Sequence, residues 1–433
     1  MINTVGVISL GCSKNRVDTE YLLSYLAQAG FTIVQRAEDA DILIVNTCGF
    51  ITPAKQESID TILEMAQYKT KGSCSLLVVT GCLSQRYPDE LKKELPEADM
   101  FWGVKDYRAL AQKLAAMAGK DAFNTRDFAS RILTTPNYSA YLRIADGCDN
   151  LCTYCAIPLI RGPKRSVPMD DILREAKTLV SSGVIELTAI AQDTSAYGID
   201  IYGRPMLKEL LKELASVEGL SWLRVLYAYP NTVDEALVDE MLKNEKIVPY
   251  LDIPIQHIAQ RMLTAMNRHG TRKHIERILK YIRSASPDFV LRTTMMVGFP
   301  GETEDDFKKL YDFIGANPFD RLGAFVFSPE DGTSAAEMPA QVDEETAQER
   351  LDAIMKLQRG VSLELNQKRV GRTYRVLTEE LKGQTASGRS YAEAPEVDGS
   401  ISFTRSGAPL KEGEFTLVRI KSAGHYDLQG EQV

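Results

Sequence analysis

Cys148, Cys152 and Cys155 stand in the stretch Gly147-Cys148-Asp149-Asn150-Leu151-Cys152-Thr153-Tyr154-Cys155, at Cys-x-x-x-Cys-x-x-Cys spacing. Three thiolates so spaced on one compact loop match three corners of a cubane iron-sulfur cluster and leave the fourth iron without a protein ligand. A structural metal site closes on four protein ligands, whereas an open position can take a substrate or cosubstrate directly. A disulfide framework is the wrong class for a chain of 433 residues with seven cysteines. A zinc knuckle would need a fourth ligand, yet no cysteine follows Cys155 and the first histidine after it, His257, is far downstream.

Three more cysteines follow apolar runs. Cys12 comes after the run 5–10 in Ser-Leu-Gly-Cys, Cys48 after 41–46 in Val-Asn-Thr-Cys-Gly, and Cys82 after 76–80 in Val-Thr-Gly-Cys. With a further run at 100–104 and amphipathic segments at 16–29, 53–68, 88–95 and 107–117, the rhythm predicts a parallel sheet covered on both faces. In such a sheet the carboxyl ends of the strands share the edge where ligands bind. The same three thiols could each be a small buried residue, but their recurrence at one topological place, each beside a glycine, argues for one cluster. Cys74 lies before a strand, at the opposite edge, and is given no role.

The elements that must position the first triad begin after a polar stretch at 121–139, read as a linker. Six apolar runs, at 141–145, 185–191, 223–229, 250–255, 290–297 and 322–327, alternate with amphipathic segments. Six units are too few for a closed eight-stranded barrel, so an open, partial barrel is expected, with its reactive rim at the strands' carboxyl ends. That rim would carry the cysteine loop, Gln192, the stretch 227–230, Gln256, His257, and the Val297-Gly298 turn. His257 could be a base, but a histidine at a strand end more often satisfies a hydrogen bond. Arg268 either reaches the site or caps a helix. A long helix over 344–367 leads to residues 368–433, whose short period-two runs and glycines predict a small antiparallel barrel. The fold class is α/β, with domains at 1–120, 140–366 and 367–433.

The cysteine spacing, Tyr154 just before the third cysteine, and the following Ile157, Pro158, Arg161 and Gly162 resemble the radical S-adenosylmethionine (SAM) superfamily and, within it, the methylthiotransferases. The resemblance implies a 4Fe-4S cluster on Cys148, Cys152 and Cys155 whose open iron chelates SAM and splits it to a 5'-deoxyadenosyl radical. It implies a second 4Fe-4S cluster on Cys12, Cys48 and Cys82 that carries the sulfur to be inserted, with Lys14 and Asn15 as polar neighbours. By the same resemblance Tyr154 lies beside SAM, Gln192 meets its methionine amine, and Val297 and Gly298 flank its adenine. The carboxyl-terminal region corresponds to a TRAM domain, a substrate-reading module. Both open irons are expected to face one cavity between the first two domains.

The net charge of −8 and pI near 5.4 argue against broad attachment to nucleic acid. Residues 368–433 carry ten Lys and Arg against nine Asp and Glu, too balanced for a phosphate-driven grip. The segment Ala394-Pro395-Glu396-Val397-Asp398 resembles the branch of the family that modifies small-subunit ribosomal protein twelve, at the β-carbon of an aspartate, more than the branch that modifies transfer RNA. An acidic loop could meet a basic ribosomal protein by charge pairing, or be a solvated hairpin. The expected partners are that substrate, a reductase or flavodoxin-type electron donor, and a sulfur donor. A cytoplasmic protein with no membrane segment is expected. Two alternatives stay open: a methylthiotransferase for adenosine in transfer RNA, and an iron-sulfur cluster carrier, which would leave SAM intact.

Overall fold

The computed structural model describes residues 2–120, 131–407 and 409–433; most of the expected linker, 121–130, lies outside them. The first domain is a five-stranded parallel sheet in the order Thr32–Ile33, Thr4–Ser9, Ile42–Thr47, Leu76–Gly81, Met100–Phe101. Alternate residues of its central strands feed two cores. Ile42, Ile44, Leu76 and Val78 pack with Leu22, Leu26, Leu110 and Leu114, whereas Leu43, Val45, Leu77 and Val79 pack with Ile62, Met65, Leu91 and Leu95. This two-sided burial explains why the strands read as unbroken apolar runs. Thr32–Ile33 carries no sequence signal, since two residues show no periodicity. Cys74 is buried in the second of these cores.

The second domain is a six-stranded sheet, all parallel, in the order Arg321–Val326, Val290–Val297, Ile247–Asp252, Trp222–Val225, Glu186–Ile190, Ser139–Arg143. Its convex face is apolar and packs against amphipathic helices including Met169–Ser181, Leu207–Ala215, Arg272–Ala285 and Glu304–Ala316. Thr303 and Asp306 form a capping box at the start of the last of these. Helix Glu344–Gln367 lies against strand Arg321–Val326 and puts Ile354 into the same core. Among the described residues no helix is long and apolar enough to cross a membrane.

The concave face of this open barrel is a different surface. It holds Tyr141, Trp222, Tyr250 and Val290 but also Glu186, Arg224 and Arg292. Arg292 pairs with Asp252 of its own sheet at 3.0 Å, and the carboxyl-terminal domain supplies further partners. Arg389 donates to both Glu186 oxygens, at 3.1 and 2.7 Å, and Glu393 accepts from Arg321 at 3.0 Å and from Arg369. The Tyr141 hydroxyl donates to Glu396 at 2.9 Å and the Tyr250 hydroxyl to Asp398 at 2.6 Å. Ala392 and Ala394 join the apolar part. The acidic segment is therefore not a wholly solvated hairpin: Glu393 and Asp398 turn inward, whereas Glu396 and Val397 remain exposed. Its inward residues line the lumen that six strands leave open, where Arg224 and Arg321 are buried and Arg292 half-buried, and Glu393 and Asp398 add counter-charges there.

The third domain is a closed five-stranded barrel of Thr373–Lys382, Thr385–Arg389, Ile401–Thr404, Leu428–Gln432 and Phe415–Ala423. Four pairings are antiparallel and one, Ile401–Thr404 with Leu428–Gln432, is parallel. An odd number of strands cannot alternate direction all the way round a ring, so one parallel pair is required. A second junction ties the first domain to the second. Buried Glu330 takes Arg86 at 2.8 Å, Lys55 at 2.9 Å and the Thr52 N–H at 3.0 Å.

Two outcomes follow from these junctions. Burial pushes the Glu186 carboxyl up from its ordinary 4.5, but Arg389 and Arg224 more than offset it and bring it to about 2. A lowered folded-state pKa contributes stability that is full above 4.5 and lost as pH falls towards 2. Urea unfolding followed by Trp222, which packs on Phe415 at 4.7 Å across this junction, is expected to weaken over that window. Glu186→Gln should flatten the pH dependence and cost about 3–5 kcal/mol at neutral pH by stranding buried arginines. Glu330→Ala should cost a similar amount, about 3–5 kcal/mol, and open the first junction to limited proteolysis; unchanged cleavage would mean that the ion cluster does not hold the domains together.

Candidate active site

All six cysteines of the two triads line one cavity of about 350 Å³ where the first sheet's carboxyl edge faces the barrel rim. Cys12 caps the start of helix Ser13–Gln28, Cys82 opens the short helix Cys82–Arg86, and Cys48 lies between them on the central strand's loop. The Cys48 N–H donates to Ser58 Oγ at 3.0 Å. Close packing of these loops depends on glycine. Gly11 has φ +82° and a Cβ there would sit 2.8 Å from Cys48 Cβ; Gly81 has φ +100° and a Cβ there would lie 2.4 Å from Asn46 Oδ1. Asn15, fully buried, stitches the edge by donating to the Thr47 carbonyl at 2.8 Å and the Leu10 carbonyl at 3.1 Å.

The two triads are joined by Arg161, the last residue of the short helix Ile157–Arg161 that follows the cysteine loop. Its side chain is 2% exposed. It donates to Asn15 Oδ1 at 2.7 Å, to Asp18 at 2.8 Å and to Asp146 at 3.2 Å, and it lies 3.6 Å from Cys82 Sγ. Burial would raise the Asp146 carboxyl, but Arg161 and then Arg143 hold it below its usual value. Asp146 in turn accepts from Gln192 Nε2 at 3.0 Å, leaving the buried Gln192 Oε1 without a partner. One guanidinium thus links the Cys82 sulfur to the rim residue that faces the other triad.

Around that triad, Asn150 Nδ2 lies 3.5 Å from Cys148 Sγ and 2.9 Å from Asp193. Arg268 lies 4.0 Å from Cys152 Sγ, donates to the Tyr154 hydroxyl at 2.9 Å and sits 4.5 Å over the Tyr229 ring. Tyr154 and Gln192 both line the cavity. Val297 and Gly298 do not: Val297 is in the convex core, and the Gly298 N–H donates to buried Glu302. His257 is structural. Its Nδ1 accepts from the Ile258 and Ala259 N–H groups at 2.9 and 3.0 Å, so its Nε2 carries the proton and faces Glu302 at 3.2 Å.

The donor set suits clusters better than a single ion. Among the described residues no three His, Cys, Asp or Glu side chains close on one metal; thiolates on three separate irons stand wider apart than ligands of one ion. Burial pushes the Cys82 and Cys155 thiols up to about 12 and raises Cys48 and Cys148 as well. Thiols so placed ionise only against a strong cationic centre, and such binding expels their protons. The orphaned acceptors Gln192 Oε1 and Gln256 Oε1, both on cavity-lining residues, suit an amine-bearing ligand such as SAM beside Cys148, Cys152 and Cys155.

Several lining residues are illegible in the sequence. Tyr227 and Gln256 hold left-handed backbones at φ +63° and +71°, and nothing in their types signals it. Arg161 did carry a signal, as a lone basic residue in an apolar turn directly after the cysteine loop. Arg268 stands past a helix, where capping was an equal expectation.

Residues 4–103 match an uncharacterized protein family, UPF0004, residues 142–314 the radical SAM superfamily, and residues 370–433 the TRAM domain. The chain is 47% identical over 450 residues to the ribosomal protein uS12 methylthiotransferase RimO of Acetivibrio thermocellus, covering 100% of this chain and 99% of that one. It is 48% identical over 440 residues to the protein of the same name from Caldicellulosiruptor saccharolyticus, with 99% of each covered. Among solved structures, the radical S-adenosylmethionine methyltransferase TsrM from Kitasatospora setae superposes with a TM-score of 0.55 at 15% identity, over 89% of this chain and 81% of that one. The cobalamin-dependent radical enzyme OxsB gives 0.53 at 13% identity, over 82% and 56%. These two likenesses concern the fold alone, whereas the full-length identities settle the kinship: the chain belongs to the RimO family of ribosomal protein uS12 methylthiotransferases.

Proposed function

We propose that this protein is a radical SAM enzyme that inserts a methylthio group at the β-carbon of an aspartate in ribosomal protein uS12. The observation that carries the reading is the convergence of two cysteine triads, from two domains, on one cavity. Cys148, Cys152 and Cys155 are the ligands of the 4Fe-4S cluster that takes SAM, and Cys12, Cys48 and Cys82 hold the second 4Fe-4S cluster. The domain division at 1–120, 140–366 and 367–433 belongs to the same reading, as do an electron donor of the reductase or flavodoxin type and a separate sulfur donor. A cytoplasmic location goes with it, since reducing conditions keep the cysteines as thiols.

When bound, these groups supply a carbon-centred radical able to break an unactivated C–H bond, and the sulfur that replaces the hydrogen. The chain's own part is to bind, orient and shield. Gln192 is held by Asp146 with its carbonyl oxygen turned free, suited to an amine. Arg161 fixes the two triads relative to one another and lends positive charge to the Cys82 sulfur. Val297 and Gly298 act, in this reading, only by shaping the wall behind the adenine, since neither lines the cavity. Aromatic and apolar lining from Phe50, Tyr154, Ile157, Tyr227 and Tyr229 limits water around a reactive radical.

Incubation of the reconstituted, reduced enzyme with SAM, a sulfide source and either ribosomal protein uS12 or transfer RNA tests the reading. A methylthio mass increment on the aspartate of uS12 is expected; its appearance only on RNA would overturn the substrate, and intact SAM would overturn the radical chemistry. The two triads should also separate functionally. Cys155→Ala is expected to abolish SAM cleavage. Cys82→Ala is expected to lower bound iron from about eight to about four per chain, to retain SAM cleavage, and to yield no methylthio product.

A further inference from the structure

The cavity shared by the two triads is lined by three cationic side chains, Lys14, Arg161 and Arg268, and by no carboxylate. Two of the three are committed. Arg161 is held by Asp18 and Asp146, and Arg268 by the Tyr154 hydroxyl and the Pro254 carbonyl. Lys14 is not. It is 8% exposed, and among the described residues its ammonium makes neither an ion pair nor a hydrogen bond; its one neighbour of note is the Tyr227 ring, whose centroid lies 3.2 Å from Nζ. A ring face only partly offsets the desolvation of a buried ammonium. Among the described residues no carboxylate of the chain lines the cavity to meet it.

Tyr227 is itself held for this contact. Its backbone is left-handed at φ +63°, a conformation unfavourable for an aromatic residue, and it is kept there by its N–H donating to buried Asp252 at 3.2 Å and its carbonyl accepting the Thr194 N–H at 3.0 Å. Strain concentrated beneath one unpaired cation marks a prepared position. Lys14 comes from the first domain and Tyr227 from the barrel rim, so the pair forms only where the two domains meet, between the triads.

We infer that the Lys14 ammonium receives the side-chain carboxylate of the target aspartate and thereby selects an acid over its amide. The inference rests on the proposed function. A carboxylate drawn to Lys14 places the adjacent β-carbon at the level of the cavity between the two sets of thiols, where hydrogen removal and sulfur delivery both have to reach it. An asparagine in the same place would leave the ammonium without a counter-charge, which is how a site built for a charged group rejects its neutral analogue.

The test is a two-by-two comparison. Reconstituted wild-type enzyme and Lys14→Met are each titrated with fluorescently labelled uS12 carrying either the target aspartate or asparagine in its place, and iron content and the electron paramagnetic resonance of both clusters are recorded. Wild type should bind the aspartate form at least about tenfold tighter, about 1.4 kcal/mol. Lys14→Met should bind the two forms alike while keeping about eight irons, and Lys14→Arg should restore part of the preference. Undiminished discrimination by Lys14→Met overturns the inference. So does loss of the amino-terminal cluster's signal, which would make the cluster, not the substrate, the partner of Lys14. A wild-type enzyme that modifies uS12 without preferring aspartate refutes the inference alone, whereas a wild type that leaves uS12 unmodified refutes the function on which it stands.

Discussion

A guanidinium sealed from water must find counter-charges, and Arg161 finds them on both sides of a domain boundary. Asp18 comes from the first helix of the amino-terminal sheet domain and Asp146 from the start of the cysteine loop. A paired group of this kind is a poor source of net stability but a strong source of alignment, because displacing either partner leaves a charge uncompensated in a dry place. The constraint is geometric: two triads on separate domains face one cavity only if the domains dock in one orientation. Asn15 extends the same network into the sheet edge, so the loops that carry Cys12, Cys48 and Cys82 are positioned by hydrogen bonds to the residue that also orients the barrel.

The barrel's incompleteness is the second organising fact. A sheet of six strands does not close, and its concave face is left with arginines and tyrosines that its own acids, Glu186 and Asp252, satisfy only in part. The carboxyl-terminal domain supplies the missing wall as a segment of acids and small residues. Glu393, with Arg369 and Arg321 outweighing its burial, is held at about 2 and stays ionised. The charge near-balance of this domain, puzzling for a module expected to read a substrate, has this partial explanation: several of its acids are spent inward.

Much of this is legible in the sequence. Strand-helix alternation over the first 120 residues announces a parallel sheet because both faces are covered and the strands must be apolar throughout. The placement of Cys12, Cys48 and Cys82 just past three such strands is visible because parallel strands end on the same edge. What stayed hidden depends on distant partners. The acidic segment 394–398 has the composition of a surface loop, and Glu396 and Val397 are exposed accordingly, but Asp398 turns inward to the Tyr250 hydroxyl and Arg292. Val297 and Gly298 sit at a strand end by pattern, yet the cavity turns away from them. Left-handed backbones at Tyr227 and Gln256 are imposed by tertiary bonds and have no local cause.

The plugged lumen also bears on how such enzymes diversify. A terminal module joined by a tether can be exchanged freely, but this TRAM domain is keyed to its catalytic neighbour through Tyr141, Glu186, Arg224, Tyr250 and Arg321. Grafting a foreign terminal barrel onto this scaffold would leave those groups wet and unmatched, so a change of reader would have to bring with it a rewritten interior.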